Sequence, residues 1–321
     1  VSETNGHQHY AYYPGCSLKA SAKSYEIASL RVTEALGMTL DEIEDWNCCG
    51  SSEYFSLNSL PAYSLVARNL SLAAQGGPGD VVAPCSMCYA NLYKTDKYMK
   101  QDPKLNEQVN QALGAGGLSY KPGTMRVRHL LDMIIEDAGF EAIGERVTQP
   151  LKGLRVAPYY GCLLTRPDSK YNPEYPTHMD ELLSTLGARV VDFPLKTHCC
   201  GGHMTQISES TAYELIRRIV NNAAQYEADL IVTACPMCQL NLDAYQPQMN
   251  RAFGTAYSVP VLFFTQVMGL AFGYKAAELG IGSEIVNATP ALSKIGQEEE
   301  PEPHRPKRRD KKALPMPGLD K

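Results

Sequence analysis

All ten cysteines of this 321-residue chain fall into two copies of one spacing. In the first copy Cys16 is followed after 31 residues by Cys48-Cys49, and after 35 more by Cys85-x-x-Cys88. The second runs Cys162, 36 residues, Cys199-Cys200, 34 residues, Cys235-x-x-Cys238. The flanking residues repeat as well: Tyr12-Tyr13-Pro14-Gly15-Cys16 answers Tyr159-Tyr160-Gly161-Cys162, and Cys48-Cys49-Gly50 answers Cys199-Cys200-Gly201. Likewise Cys85-Ser86-Met87-Cys88 answers Cys235-Pro236-Met237-Cys238. No thiol is left over, so the repeat describes two equivalent five-thiol sites, for which a soft metal centre is the natural occupant.

A structural zinc ion takes four ligands, one fewer than each half offers. Adjacent cysteines such as Cys199-Cys200 do not easily chelate one small tetrahedral ion together. Neighbouring side chains of one loop can reach different irons of a larger body, which favours an iron–sulfur cluster with bridging thiolates. Copper(I) storage accepts the same donors but calls for clustered Cys-x-x-Cys repeats. Gly50 and Gly201 allow a sharp turn that brings backbone N–H groups toward sulfur, where hydrogen bonds tune potential; a plain tight turn is the ordinary alternative.

Composition sets the frame for this chemistry. With 44% apolar residues and a net charge of -5, the chain reads as a globular protein with no call for nucleic acid as a partner. Residues 1–9 are polar and lack the basic and apolar segments of a secretory signal, so the expected location is cytoplasmic. In a reducing cytosol repeated cysteines are metal ligands more often than disulfides. The apolar stretch 259–274 contains Thr265, Gln266, Gly269 and Gly273 and falls short of the ~20 residues of a span, so no membrane crossing is expected.

The elements that must position the thiols repeat with them. Strands are expected at 9–14, 38–43 and 80–85, and again at 154–160, 189–193 and 229–235; helices at 24–36, 57–74, 176–186 and 208–224. In the first helix Ile27, Leu30, Val32 and Ala35 are assigned to the buried face. Residues 100–137 read as an insertion followed by a final helix from Val127 to Ile135, whose counterpart is 259–271. Alternating strands and helices make an α/β fold with a mostly parallel sheet in each half. In such sheets reactive groups gather at the carboxyl ends of the strands. Two homologous domains, 1–150 and 151–293, related by a pseudo-twofold repeat, are expected. They precede a charged, proline-rich tail, 294–321, that cannot bury enough apolar area to order itself.

With these residues in place, the chain resembles the Cys-Cys-Gly (CCG) domain family, and within it the B-type subunit of heterodisulfide reductase. All ten positions of the family motif are filled: Cys16, Cys48, Cys49, Cys85 and Cys88, then Cys162, Cys199, Cys200, Cys235 and Cys238. The resemblance implies two noncubane [4Fe-4S] clusters, each held by five cysteines, with a disulfide cleaved or formed between them by paired one-electron transfers. It further implies two partners, a ferredoxin-like iron–sulfur protein (the C-type subunit) and a flavoprotein (the A-type subunit). Two rival readings remain: a CCG subunit of a fumarate, succinate or quinone-linked oxidoreductase with one cluster and one zinc, and a structural scaffold with two zinc sites.

With every thiol committed, no thioredoxin-like cysteine pair remains to exchange with a disulfide. His198 and His203 flank the second Cys-Cys-Gly turn and are candidate proton donors, a hydrogen bond to a thiolate being the ordinary alternative role. Trp46, the only tryptophan, reads as packing. No flavin or nicotinamide fingerprint is present.

Overall fold

The computed structural model describes residues 2–4, 7–51, 53–77, 79–166, 168 and 170–297. The first half runs β1 (Ser2–Thr4), β2 (His7–Tyr12), α1 (Gly15–Lys19), α2 (Lys23–Ala35), β3 (Met38–Glu42), α3 (Glu53–Leu57), α4 (Ser59–Ala74), β4 (Gly79–Ala83), α5 (Ser86–Gln101), α6 (Pro103–Gly114), β5 (Met125–His129) and α7 (Leu130–Glu145). The second repeats the series with β6 (Arg155–Tyr159), α8 (His178–Thr185), β7 (Arg189–Val190), α9 (Met204–Ile207), α10 (Glu209–Gln225), β8 (Leu230–Thr233), α11 (Pro236–Ala244), α12 (Gln246–Phe253), β9 (Val261–Phe263), α13 (Phe264–Ala271) and a closing α14 (Thr289–Leu292).

Each half builds a four-stranded parallel sheet, in the order β3-β2-β4-β5 and β7-β6-β8-β9. The short β1 adds an antiparallel edge beside β2. The strand order reverses between β2 and β4, and between β6 and β8, which makes the crevice at their carboxyl ends the natural place for a ligand. The central strands are buried on both faces, as Val81, Val82, Ile231 and Val232 show.

Three expectations are corrected. A fourth strand, β5 or β9, occupies the start of each stretch expected to be helical, 127–135 and 259–271; the helices begin only at Leu130 and Phe264. A short apolar run such as Val261–Phe263 has no periodicity that separates strand from buried helix. In Met125–His129 two arginines mask the strand because their partners lie elsewhere in sequence. Residues 100–137 are not an insertion, since α6 has its counterpart in α12. The buried face of α2 is Tyr25, Ala28, Ser29, Val32 and Thr33, while Ile27 and Leu30 are 42% and 41% exposed.

The halves share two apolar clusters, each built from residues of both. Helix α2 packs on α13, with the Tyr25 ring stacked 4.1 Å from that of Phe263, and α7 packs on α8. Residues 294–297, assigned by composition to the tail, remain attached: Lys294 pairs with Asp229, Ile295 packs on the core, and Gly296 N donates to Lys152 O at 2.8 Å. The rest of the tail lies outside the described residues.

Candidate metal centre

Every cysteine segment follows the carboxyl end of a strand. Cys16 sits in α1 after β2, Cys48 and Cys49 in the loop after β3, Cys85 at the N-cap of α5 after β4, and Cys88 in that helix's first turn. Cys162 follows β6, Cys199 and Cys200 follow β7, and Cys235 and Cys238 open α11 after β8. Residues up to 72 positions apart in sequence thereby converge on one crevice in the first half.

The thiols touch in equivalent patterns. The Sγ atoms of Cys16 and Cys48 lie 3.8 Å apart and those of Cys49 and Cys88 3.5 Å; Cys200 and Cys238 stand at 3.6 Å. Cys162 also meets Cys199, and Cys85 meets Cys88. The two quintets meet as well, through a thiol contact between Cys85 and Cys235. In each half the Cys-x-x-Cys pair and the second cysteine of Cys-Cys-Gly are buried, while Cys48 and Cys199 are exposed.

Cys48 and Cys199, the first cysteine of each Cys-Cys pair, favour the thiolate. A hydrogen bond from Cys162 and the Gly201 amide, 3.4 Å from Cys199 Sγ, bring Cys199 down to about 6 against the opposing effect of burial. Cys48 is likewise lowered, by Cys16 and Cys49 and by the Gly50 amide. Their donors Cys16 and Cys162 are raised correspondingly. Both glycines adopt positive φ, +77° at Gly50 and +76° at Gly201, the conformation that turns these amides toward sulfur.

A cavity of about 250 Å³ is lined by all five thiols of the second quintet, by His203, and by Ser86 and Met87 from the first half. Among the described residues no three His, Cys, Asp or Glu side chains close on a point as ligands of one ion do. Five sulfurs around a cavity suit a body of several metal atoms better than a single tetrahedral ion.

The two candidate histidines separate. His198 is exposed. His203 lines the cavity and reaches across to the first half, with Nε2 at 3.1 Å from Ser51 Oγ and Nδ1 at 2.6 Å from Glu53 Oε1. Trp46 packs edge-on against Tyr13 at 5.6 Å, and its Nε1 donates to Glu42.

Several positioning residues escaped the sequence reading. Tyr13 and Tyr159 donate to Asn47 O and His198 O, each the carbonyl just before a Cys-Cys pair, at 2.7 and 2.5 Å. Asn91 and Asn241 donate to Cys49 O and Cys200 O at 3.2 and 2.5 Å. Each asparagine lies three residues beyond its Cys-x-x-Cys, so a longer comparison of the repeats would have found it. Tyr25 and His129 carry no such signal. Tyr25 OH lies 3.1 Å from Pro84 O and 3.3 Å from Ala234 O, the carbonyls preceding Cys85 and Cys235. His129 Nε2 meets Ala234 O at 3.2 Å while its Nδ1 accepts from Leu131 N, so the ring is neutral; burial lowers it to about 4. Together they fasten the two Cys-x-x-Cys turns to each other.

Gly15 and Gly161 form the closest backbone approach to sulfur. A Cβ there would stand 2.9 Å from Cys88 Sγ and 3.0 Å from Cys238 Sγ, at φ of +73° and +71°. Gly15→Ala or Gly161→Ala is expected to cost about 1–2 kcal/mol for the left-handed backbone alone, read as a lower thermal midpoint. An unchanged midpoint would show that the crevice tolerates a side chain.

Comparison with known proteins fits this geometry. A family model described as CCG, cysteine-rich domain, matches residues 10–93 and again 156–243. The 8-methylmenaquinol:fumarate reductase membrane anchor subunit of Wolinella succinogenes is 36% identical over 283 residues, covering 87% of this chain and 98% of that one. The B-type subunit of the ferredoxin/F(420)H(2)-dependent CoB-CoM heterodisulfide reductase of Methanosarcina acetivorans is 33% identical over 294 residues, with coverage of 88% and 95%. Among solved structures a hypothetical protein from Helicobacter pylori matches with a TM-score of 0.70 at 12% identity, over 87% of this chain and about half (52%) of that longer one, which is a likeness of fold. No helix among the described residues is long and apolar enough to cross a membrane. Two sheets of equal topology, two quintets of thiols at equivalent strand ends and two matches to one family model mean that this chain belongs to the cysteine-rich CCG family, as a two-copy member alongside the B-type subunits of heterodisulfide reductase.

Proposed function

We propose that each quintet holds a noncubane [4Fe-4S] cluster and that the chain is the disulfide-handling subunit of a multi-subunit reductase. Cys16, Cys48, Cys49, Cys85 and Cys88 would hold one cluster, and Cys162, Cys199, Cys200, Cys235 and Cys238 the other. The observation that carries the reading is the meeting of the two quintets at Cys85 and Cys235, beside a cavity walled by residues of both halves. Each cluster, when bound, supplies one electron at a time.

Cleaving a disulfide breaks one S–S bond and forms two S–H bonds, consuming two electrons and two protons. Two facing sites match that electron count. The electrons come from a reduced partner protein, of the ferredoxin-like and flavoprotein kinds that the heterodisulfide reductase resemblance implies. The chain's own residues supply the rest. The apolar walls Met87, Leu163 and Met237 exclude water. His203, steadied by Glu53 and Ser51, holds a proton at the cavity for a departing thiolate; exposed His198 has no comparable placement.

The anaerobically purified holoprotein, given a reduced viologen in place of its partner and a small disulfide, is expected to release two thiols for each two electrons consumed. Electron uptake without thiol release would overturn the proposal. A second reading is favoured by the 36% identity to the Wolinella protein: a CCG subunit of a quinol- or fumarate-linked complex, with one cluster and one zinc. Zinc at about one per chain would select it.

A further inference from the structure

Next to the thiol cavity lies a second one of about 300 Å³, lined by Phe55, Tyr63, Met87, Asn91, Lys94 and Tyr98 among others. Met87 and Leu163 line both, so the two cavities share a wall. That wall is made by residues adjoining cysteines of both halves, Met87 between Cys85 and Cys88 and Leu163 directly after Cys162. Met87 is unbranched and flexible, so this partition can yield to a ligand.

The second cavity has a distinct chemistry. Phe55, Tyr63 and Tyr98 form a ladder of edge-to-face contacts, with centroids 5.0 Å apart at the first step and 6.2 Å at the second. Lys94 also lines this cleft and makes no ion pair among the described residues. The other charged side chains nearby on α5 are already engaged, Lys97 with Asp168 and Asp96 with Tyr120. The cation is also peculiar to one half: Lys94 lies six residues after Cys88, and the residue six after Cys238 is Ala244. A repeat that keeps its thiols and asparagines equivalent but differs here has one specialised side.

We infer that this cleft is a binding subsite for a planar aromatic group bearing a negative charge, and that it seats the non-reacting arm of the molecule whose reacting end enters the thiol cavity. Only the link to a reacting molecule rests on the proposed function. Ring-on-ring contact favours a flat aromatic over an alkyl chain, and the unpaired ammonium of Lys94 selects an anion over a neutral ring. The absence of a cation at the equivalent place makes the binding one-sided, so a molecule with two different arms would be held in a single orientation.

The test uses calorimetry on the anaerobically prepared full-length holoprotein with three probes: naphthalene-1-sulfonate, naphthalene-1-methanol and octane-1-sulfonate. Naphthalene-1-sulfonate is expected to bind tightest, at one site per chain. Lys94→Ala should weaken it at least tenfold and Lys94→Glu should abolish its binding, with naphthalene-1-methanol affected less than twofold by either change. Tyr63→Ala should weaken both naphthyl probes. Iron content and thermal midpoint of each Lys94 variant serve as the check on folding, since that exposed side chain supports no other group. Equal affinity of wild type and Lys94→Ala for naphthalene-1-sulfonate would overturn the anion subsite, and equal binding of octane-1-sulfonate would overturn the aromatic preference. Because none of these readings depends on turnover, binding as expected in a protein that cleaves no disulfide would leave the cleft standing and remove the proposed reaction.

Discussion

Substituting Cys88 or Cys238 by serine is expected to lower the iron of the anaerobically purified chain from about eight to about four atoms, with an equivalent loss of acid-labile sulfide. Both thiols are buried, and each touches the second cysteine of its Cys-Cys-Gly turn, at 3.5 Å for Cys88 and 3.6 Å for Cys238. Serine supplies a hard hydroxyl that is a poor replacement for a soft thiolate, and no spare cysteine exists to substitute. The double variant should be colourless. A stability loss should accompany the iron loss, because binding free energy of a centre that forms only in the folded chain is also folding free energy. If either single variant keeps about eight irons, that cysteine is not a ligand and the five-thiol assignment of its half fails.

The largest effect away from the thiols should follow Arg128→Met. Arg128 is 5% exposed and lies among three carboxylates: Nη1 is 2.9 Å from Asp80 Oδ2 and 2.5 Å from Asp137 Oδ2, and Nη2 is 2.8 Å from Glu136 Oε2. Tyr10 OH adds a 2.6 Å bond to Asp137. This network ties β5 to β2, β4 and α7. Removing the cation leaves buried Asp80 with Arg126 alone and half-buried Asp137 with Tyr10 alone, at a cost of about 3 kcal/mol, the low end for breaking a buried pair, and a fall in midpoint of several degrees.

The pH dependence gives a second reading of the same variant. Burial acts to raise Asp80 and Asp137, yet hydrogen bonds from Arg128, joined by Arg126 at Asp80 and Tyr10 at Asp137, hold both carboxyls below their usual 3.8. A carboxylate lowered in the folded state contributes stability that is present above its unfolded value and lost as pH falls through the folded one. The wild type should therefore lose stability on acidification below about pH 4. In Arg128→Met Asp80 keeps only Arg126 and Asp137 only Tyr10, so burial is less opposed and both carboxyls move up, and the variant's deficit should shrink as pH falls from 7 toward 4. A deficit that stays constant over that range would contradict the network's role.

How much could be read from the residues depends on what kind of signal each part leaves. Spacing carried the ten cysteines, because convergence at strand ends requires the same intervals twice. Periodicity carried the strands ahead of Cys85 and Cys235, whose buried faces are continuous apolar runs. It failed for β9, where apolar residues pass directly from a strand into a buried helix, and for β5, where two arginines interrupt the apolar pattern and no turn residue separates the strand from α7. It also failed for α2, because that helix is buried by the other half of the molecule: Tyr25 stacks on Phe263, Ser29 meets Thr265, and Ser29 and Thr33 satisfy themselves on their own helix's carbonyls. The residues that hold the two turns together, Tyr25 and His129, act through carbonyl groups, which leave no trace in side-chain identity. His198 and His203 were equal on sequence; only the fold distinguishes a solvent-facing ring from one lodged between the halves.

Iron, acid-labile sulfide and zinc measured together on the anaerobically isolated chain test the central proposal most directly. The account predicts about eight irons, about eight sulfides and no zinc per chain, with visible absorption that zinc thiolates lack. Four irons with one zinc, or two zincs and no colour, would contradict it.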